Sequence, residues 1–397
     1  MTSGLWLGSK VVAFCDIRFA PLMQPHPFFP SAGTFPLRPS NRFGLDYRAE
    51  GARRPAVCPI IDFHAHINGD AVIPIWKEAA DAFGVSKVFT QVRLEDADIV
   101  KSSLGERVEF VAFPNFRATD RGRAFREGFL EDIPIFHERF GARIVKFWNA
   151  PRLRDFFPGD SGKDVIEFDS EWRVRAAELA QSLGMMFMVH VADPDTWFAT
   201  KYSDPEKYGR KIDHYRGLEV MLDRFPAPWI AAHMGGWAED LPFLDGLLSR
   251  HSNLYLDTSA TKWVIRALGQ SSPSVVRTFF QKWRGRILFG SDIVTTNEHV
   301  TAKIGPGEHP MADLASNADE AFDLYASRYL SLRTVFETAY AGESPIADPD
   351  LAMVDPSRFD RMSAPPIAGI SLPASDLRML YSDAATGLMS ANRGPTR

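Results

Sequence analysis

The segment IIDFHAHI, residues 60–67, sets two imidazoles one residue apart in an otherwise apolar run. In an extended strand alternate side chains share a face. His64 and His66 would therefore aim at one point, with Ala65 on the other side. Other polar residues recur at the ends of apolar runs: Lys146 in RIVKFW, His190 in MMFMVHV, His233 in WIAAHM, Asp257 in NLYLDTS and Asp292 in RILFGSD, with Asp62 just ahead of the histidine pair. Polar groups in buried strands are costly unless satisfied, so they call for a purpose. Imidazole nitrogen combined with carboxylate oxygen suits a borderline divalent ion such as Zn²⁺. His64, His66, His190 and Asp292 would make a four-ligand set with a position left for water or substrate. Such an ion activates bound water and polarises a substrate oxygen.

The elements that must position these residues follow a regular pattern. From residue 57 onward, short β-branched or aromatic runs occupy 57–64, 87–92, 108–116, 143–148, 185–191, 229–234, 253–259 and 286–292. Most are nearly continuous apolar stretches, as strands buried on both faces must be. Helical stretches lie between them, among them 169–184, 214–225 and 239–251; the first opens on an Asp/Ser cap and ends at Gly184. Eight strands alternating with helices predict an α/β fold, the (βα)₈ TIM barrel, whose strand ends converge on one mouth. A doubly wound sheet is the alternative, but it would carry a Gly-rich phosphate turn after its first strand, where this chain has HAHING. A phosphate-binding barrel would need such a turn after strand seven or eight, and GSDIVTTNEH is a poor one.

The reading divides the chain into an N-terminal arm at 1–55, with disorder as its alternative, a barrel at 56–344, and a C-terminal helical extension at 345–397. Within the last third, 318–340 is a helix that closes the barrel and 344–360 a loop rich in Pro and Asp. Residues 373–389 are a short terminal helix, expected on the outside. A net charge of -5 argues against broad attraction to nucleic acid or anionic membrane. No run approaches the length of a membrane span, and the N-terminus lacks a signal-peptide pattern. Two cysteines, Cys15 and Cys58, cannot build a disulfide framework, so a reducing cytoplasm is the expected location.

The motifs IDFHAHI, MVHVADP, AAHMGG, LYLDTSA and LFGSDIV resemble the amidohydrolase superfamily of metal-dependent barrels. The chain looks most like its amidohydrolase 2 branch, which includes aminocarboxymuconate-semialdehyde decarboxylase and related hydrolases and hydratases. The resemblance spans about residues 57–340. It implies that His64, His66 and His190 are metal ligands. It implies Asp292 as ligand or general base, and His233 as a catalytic acid, base or electrophile near the metal. Lys146 stands where binuclear members carry a carbamylated lysine between two metals; the favoured expectation is one metal, with Lys146 facing a substrate anion or an aspartate.

The leading expectation is a zinc-dependent hydrolase acting on an amide, ester or lactone of a small, anionic substrate. The alternative is non-oxidative decarboxylation of a small aromatic or unsaturated acid. A homodimer is expected; the resemblance implies that decarboxylases of this branch often take an arginine from a neighbouring subunit, so obligate dimerisation would favour that alternative. A catalytically silent binding barrel is the third reading, opposed by the intact ligand set. Trp148 and Asn149 after strand four, Trp197 after strand five, and Lys262 and Arg266 after strand seven are the candidate substrate contacts. Aromatic walls with a few cations suit a small organic anion; loops packed merely on one another are the plainer reading.

Overall fold

The apolar runs fold as strands in a computed structural model that describes residues 26–301, 305 and 311–392. β1 (Ile60–His66), β2 (Val85–Gln91), β3 (Val108–Ala112), β4 (Ile144–Trp148), β5 (Met186–His190), β6 (Trp229–Ala231), β7 (Leu254–Asp257) and β8 (Ile287–Leu288) are neighbours in that order in a parallel sheet. β9 (Ile293–Val294) pairs with β1 and β8 with β7. β8 and β9 are two halves of one stave. Between them the Phe63 amide donates to Phe289 O and the Asp292 amide to His64 O, each at 2.8 Å. The sheet therefore closes into a (βα)₈ barrel.

Phe63, Phe89, Val111, Ile144, Met186, Met188, Ile230 and Leu288 meet in the barrel interior. The outer faces of the strands pack on the helices in a larger core that includes the fully buried Trp76 and Trp229. The helix predicted at 169–184 runs Glu171–Ser182, and Gly184 takes the left-handed turn (φ 69°) beyond it. The helix predicted at 318–340 runs Ala318–Glu337 and is capped by Asn317, whose side chain accepts from the Glu320 amide.

Four features depart from simple alternation or extend it. First, β1 is bulged. Asp62 pairs with Val88 and Ala65 with Thr90, so three steps on β1 match two on β2. The extra residue changes the phase of the strand. Phe63 fills the barrel, while Asp62 turns to the Ala318–Glu337 helix and accepts from the Tyr329 hydroxyl at 2.9 Å. The irregularity lies between Asp62 and Ala65, yet His64 and His66 still converge on Asp292.

Second, β6 stops at Ala231, so His233 is not on a strand. His233 and Met234 are both left-handed (φ 59° and 51°) and continue into Gly235 and Gly236. At Gly236 a Cβ would stand 2.4 Å from Ala192 O, which explains the glycine. Third, the terminal helix does not lie on the barrel's flank. Helix Ala384–Ala391 sets Ala384, Ala385, Leu388 and Met389 against the interior cluster, and the Arg143 guanidinium donates to Met389 O at 2.9 Å. It plugs the end opposite the mouth, because the apolar floor there offers more surface to bury than the polar outside.

Fourth, the arm is packed where it is described. Phe29 and Leu45 are fully buried, Asn41 donates to Asp323 at 3.0 Å, and helix Tyr47–Arg53 follows. Residues 1–25 lie outside the described residues. Among those described, no helix is long and apolar enough to cross a membrane.

Candidate metal centre

At the mouth His64, His66 and Asp292 offer one ligand atom each within 4.8 Å of one another. The Asp292 Oδ1 lies 3.4 Å from His66 Nε2 and 3.6 Å from His64 Nε2. The backbone is shaped for this convergence. Asp292 is left-handed (φ 57°), which turns its carboxylate back toward β1. Gly290, two residues earlier, leaves room for His64: a Cβ there would stand 3.0 Å from the His64 Cβ.

The other nitrogen of His64 is held from behind. Nδ1 lies 2.8 Å from Asp257 Oδ2 and 3.0 Å from the Ser259 hydroxyl. A carboxylate on Nδ1 fixes the tautomer and leaves Nε2 to face the cluster. Asp257 also accepts from the His233 amide at 2.9 Å, which pins the left-handed turn. His233 Nδ1 meets Ser259 Oγ at 2.8 Å, and its Nε2 lies 3.1 Å from His190 Nδ1. His190 is oriented in turn by Asp193, 2.8 Å from its Nε2, and Asp193 accepts from the Tyr202 hydroxyl at 2.7 Å. His190, expected as a fourth ligand, is not among the three clustered ligands; its Nδ1 faces His233 Nε2 instead. His64, His233 and Asp257 form a second compact triad, but its carboxylate already holds His64 Nδ1.

The sequence pattern of the family described as Amidohydrolase matches residues 77–332. The chain belongs to the amidohydrolase family. Lys146, His190, His233, Asp257 and Asp292 fall inside that match, while His64 and His66 precede it and are joined to the site by geometry. No curated protein matches the sequence. Among solved structures, an uncharacterised TIM-barrel protein of Bordetella bronchiseptica is 14% identical, with 84% of this chain and 99% of that one covered and a TM-score of 0.42. The manganese complex of 5-carboxyvanillate decarboxylase from Novosphingobium aromaticivorans is 11% identical, with 84% and 96% covered and a TM-score of 0.40. A probable 2-pyrone-4,6-dicarboxylic acid hydrolase of Acinetobacter baumannii is 11% identical, with 75% and 98% covered and a TM-score of 0.38. Likenesses this distant do not bear on the reaction.

The electrostatics of this amidohydrolase suit a divalent cation. Burial pushes the His66 imidazole down to about 4. Burial, then the neighbouring His190 charge, holds His233 well below the usual histidine range. Burial alone would raise Asp292, but the contact with His66 and the charges of His233, His64 and His66 hold it well below the usual carboxylate range. The lowered His66 imidazole beside an ionised Asp292 carboxylate suits the deprotonated ligands that metal binding requires. Lys146 completes the floor: its amine lies 2.7 Å from His64 Nε2 and 2.5 Å from Gln91 Oε1, and burial lowers it to about 8.

The expected substrate contacts separate into two groups. Trp148 stacks on Phe116 (5.7 Å between rings) and stands 6.5 Å from His190; Asn149 is buried with its Oδ1 unpartnered among the described residues. Trp197 and Trp263 meet at 5.1 Å, and Trp263 stands 5.7 Å from His233. These rings wall the mouth. Arg266, by contrast, is buried and bonded to Asp348 and Asp350, with Nη2 at 3.1 Å from the Asp350 carboxylate and 2.9 Å from the Thr196 hydroxyl. Its charge is matched by acids of the segment that follows the barrel.

Sequence reading missed Gln91, Asp193 and Ser259. Gln91 ends β2, and the rule that flagged polar strand ends finds it too. Asp193 lies three residues after His190, a spacing that carries no signal outside the fold.

Proposed function

We propose that the chain is a mononuclear metal-dependent hydrolase of a small organic anion. The observation that carries this reading is the meeting of His64 Nε2, His66 Nε2 and the Asp292 carboxylate at the barrel mouth. Two imidazoles and a carboxylate suit zinc, which would supply activated water and a polarised substrate oxygen. Asp292, ionised and beside both histidines, accepts the proton of the attacking water at its carboxylate. Asp257 and Ser259 hold His64 and His233 in place, so neither ring has to reorganise as charge develops. His233, whose Nε2 lies 3.1 Å from His190 Nδ1, would support the oxyanion or the leaving group. Trp148, Trp197 and Trp263 exclude water from one side.

The same aromatic wall favours a second reading. A flat aromatic acid would stack there, and loss of CO₂ with protonation of the ring carbon by Asp292 or His233 would use the same residues.

The test begins with metal content by elemental mass spectrometry on protein purified without added metal, for wild type and Lys146→Ala. About one zinc per chain in both is expected. Near two in wild type, falling in the variant, would replace the mononuclear reading with a carbamate-bridged pair. The zinc protein is then screened against lactones, esters, amides and hydroxybenzoic acids, with a chelated control. Metal-dependent hydrolysis is expected; CO₂ release without hydrolysis would establish the second reading, and no metal after reconstitution would overturn both.

A further inference from the structure

Asp62 is fully buried two residues before His64, yet it stands outside the ligand cluster. Among the described residues it pairs with no cation. Its two oxygens are met by donors alone. Oδ1 accepts from the Ser291 amide at 3.0 Å and from the His64 amide at 3.3 Å. Oδ2 accepts from the Ser291 hydroxyl at 2.6 Å and from the Tyr329 hydroxyl at 2.9 Å. Trp76 Nε1 donates in turn to the Tyr329 oxygen at 3.2 Å, and both rings are fully buried. A carboxylate inside a fold is tolerated where donors meet its lone pairs.

These bonds fall on the break in the barrel wall. β8 ends at Leu288 and β9 begins at Ile293, so Gly290, Ser291 and Asp292 lie outside the ladder. Side chains of neighbouring segments take up their backbone groups instead. The Gly290 amide donates to Thr258 Oγ1 at 3.1 Å, and the Ser291 carbonyl accepts from Thr261 Oγ1 at 2.9 Å. The Ser291 hydroxyl, while donating to Asp62, accepts from the Ile293 amide at 3.1 Å. Asp62 thus ties the residues on both sides of Asp292, and its bond to the His64 amide ties the facing ligand as well. A left-handed conformation such as that of Asp292 persists only where its surroundings enforce it.

We propose that Asp62 is a positioning residue for the metal centre: through the backbones of Ser291 and His64 it sets where the Asp292 carboxylate and the His64 imidazole stand, and Tyr329 fixes its own orientation. Asp257 and Ser259 aim the His64 ring, whereas Asp62 holds the chain that carries the ligands. The role requires a carboxylate. An amide of the same shape would turn a donor toward two donors at one end. The inference rests on the metal reading above.

Zinc affinity is measured on the full chain by competition with a chromophoric chelator for wild type, Asp62→Asn, Ser291→Ala and Tyr329→Phe. The visible spectrum of the cobalt-loaded chain reports ligand geometry, and the unfolding midpoint of the metal-free chain reports stability. Leu388→Ala, at the plugged end, serves as a variant destabilised far from the site. Asp62→Asn and Ser291→Ala are expected to weaken zinc binding by roughly 10–100-fold and to shift the cobalt bands. Tyr329→Phe should do less, since it removes one bond of four, and Leu388→Ala should match wild type in affinity and spectrum. Wild-type affinity and spectrum in Asp62→Asn would overturn the positioning role and leave the metal reading standing. Should Asp62→Asn fail to fold, weaker zinc binding in both Ser291→Ala and Tyr329→Phe sustains the role, and wild-type affinity in both overturns it. A wild type that takes no metal after reconstitution overturns the metal reading, and this role with it.

Discussion

The two ends of the barrel are built on opposite principles. At the plugged end, apolar side chains of the strands meet Ala384, Ala385, Leu388 and Met389 of the terminal helix. At the mouth the same strands end in imidazoles, carboxylates and an amine, all in direct contact. Backbone conformation divides the same way. Of the five non-glycine residues with positive φ among those described, His233, Met234, Ala260 and Asp292 are at the mouth, and only Ser371 is elsewhere. Such conformations cost on the order of 1–3 kcal/mol each and persist only where the surroundings enforce them. Apolar packing needs no particular direction, whereas polar atoms must be aimed. The strain therefore collects at the end where direction matters.

That contrast can be tested from both sides. The largest effect is expected at the mouth. Asp292→Ala should leave the chain folded but strip it of metal, with activity down on the order of 1,000-fold or more; retention of a full metal complement would show that the histidines suffice. Next comes the floor. Leu388→Ala should cost about 2–3 kcal/mol in denaturant unfolding and leave metal per chain unchanged. Loss of metal in that variant would mean that the two ends are coupled, and the division above would fail.

Asp257→Asn probes the support behind His64. A metal affinity weaker by roughly 10–100-fold is expected, read by competition with a chelator, while the unfolding midpoint of the metal-free chain moves little. The smallest effect concerns strain alone. Ala260→Gly removes a left-handed Cβ and should stabilise the chain by no more than about 1 kcal/mol, since glycine also gains freedom when unfolded. A destabilisation would show that Ala260 is held by its packing, not tolerated at a cost.

Particular residues show how much the sequence reveals. His64 and His66 were recognisable because strand alternation is local and they stand one residue apart on β1. Asp62 looked equivalent to them, and the bulge sent it to Tyr329 instead. Arg266 resembled a free cation, because its partners Asp348 and Asp350 come some eighty positions later in the chain. His233 looked like a strand residue; the turn that holds it depends on the Asp257 carboxylate of the next strand.

The order of strands and helices, the barrel they form and the polar residues at its mouth were all determined by the sequence by itself, through periodicities that span a few residues. The tertiary structure alone decided which nitrogen of His64 faces the cluster, that Arg266 pairs with Asp348 and Asp350, and which end of the barrel the last helix closes. Those outcomes depend on contacts between distant segments, where a hydrogen bond or an ion pair exists only once the chain has closed around it.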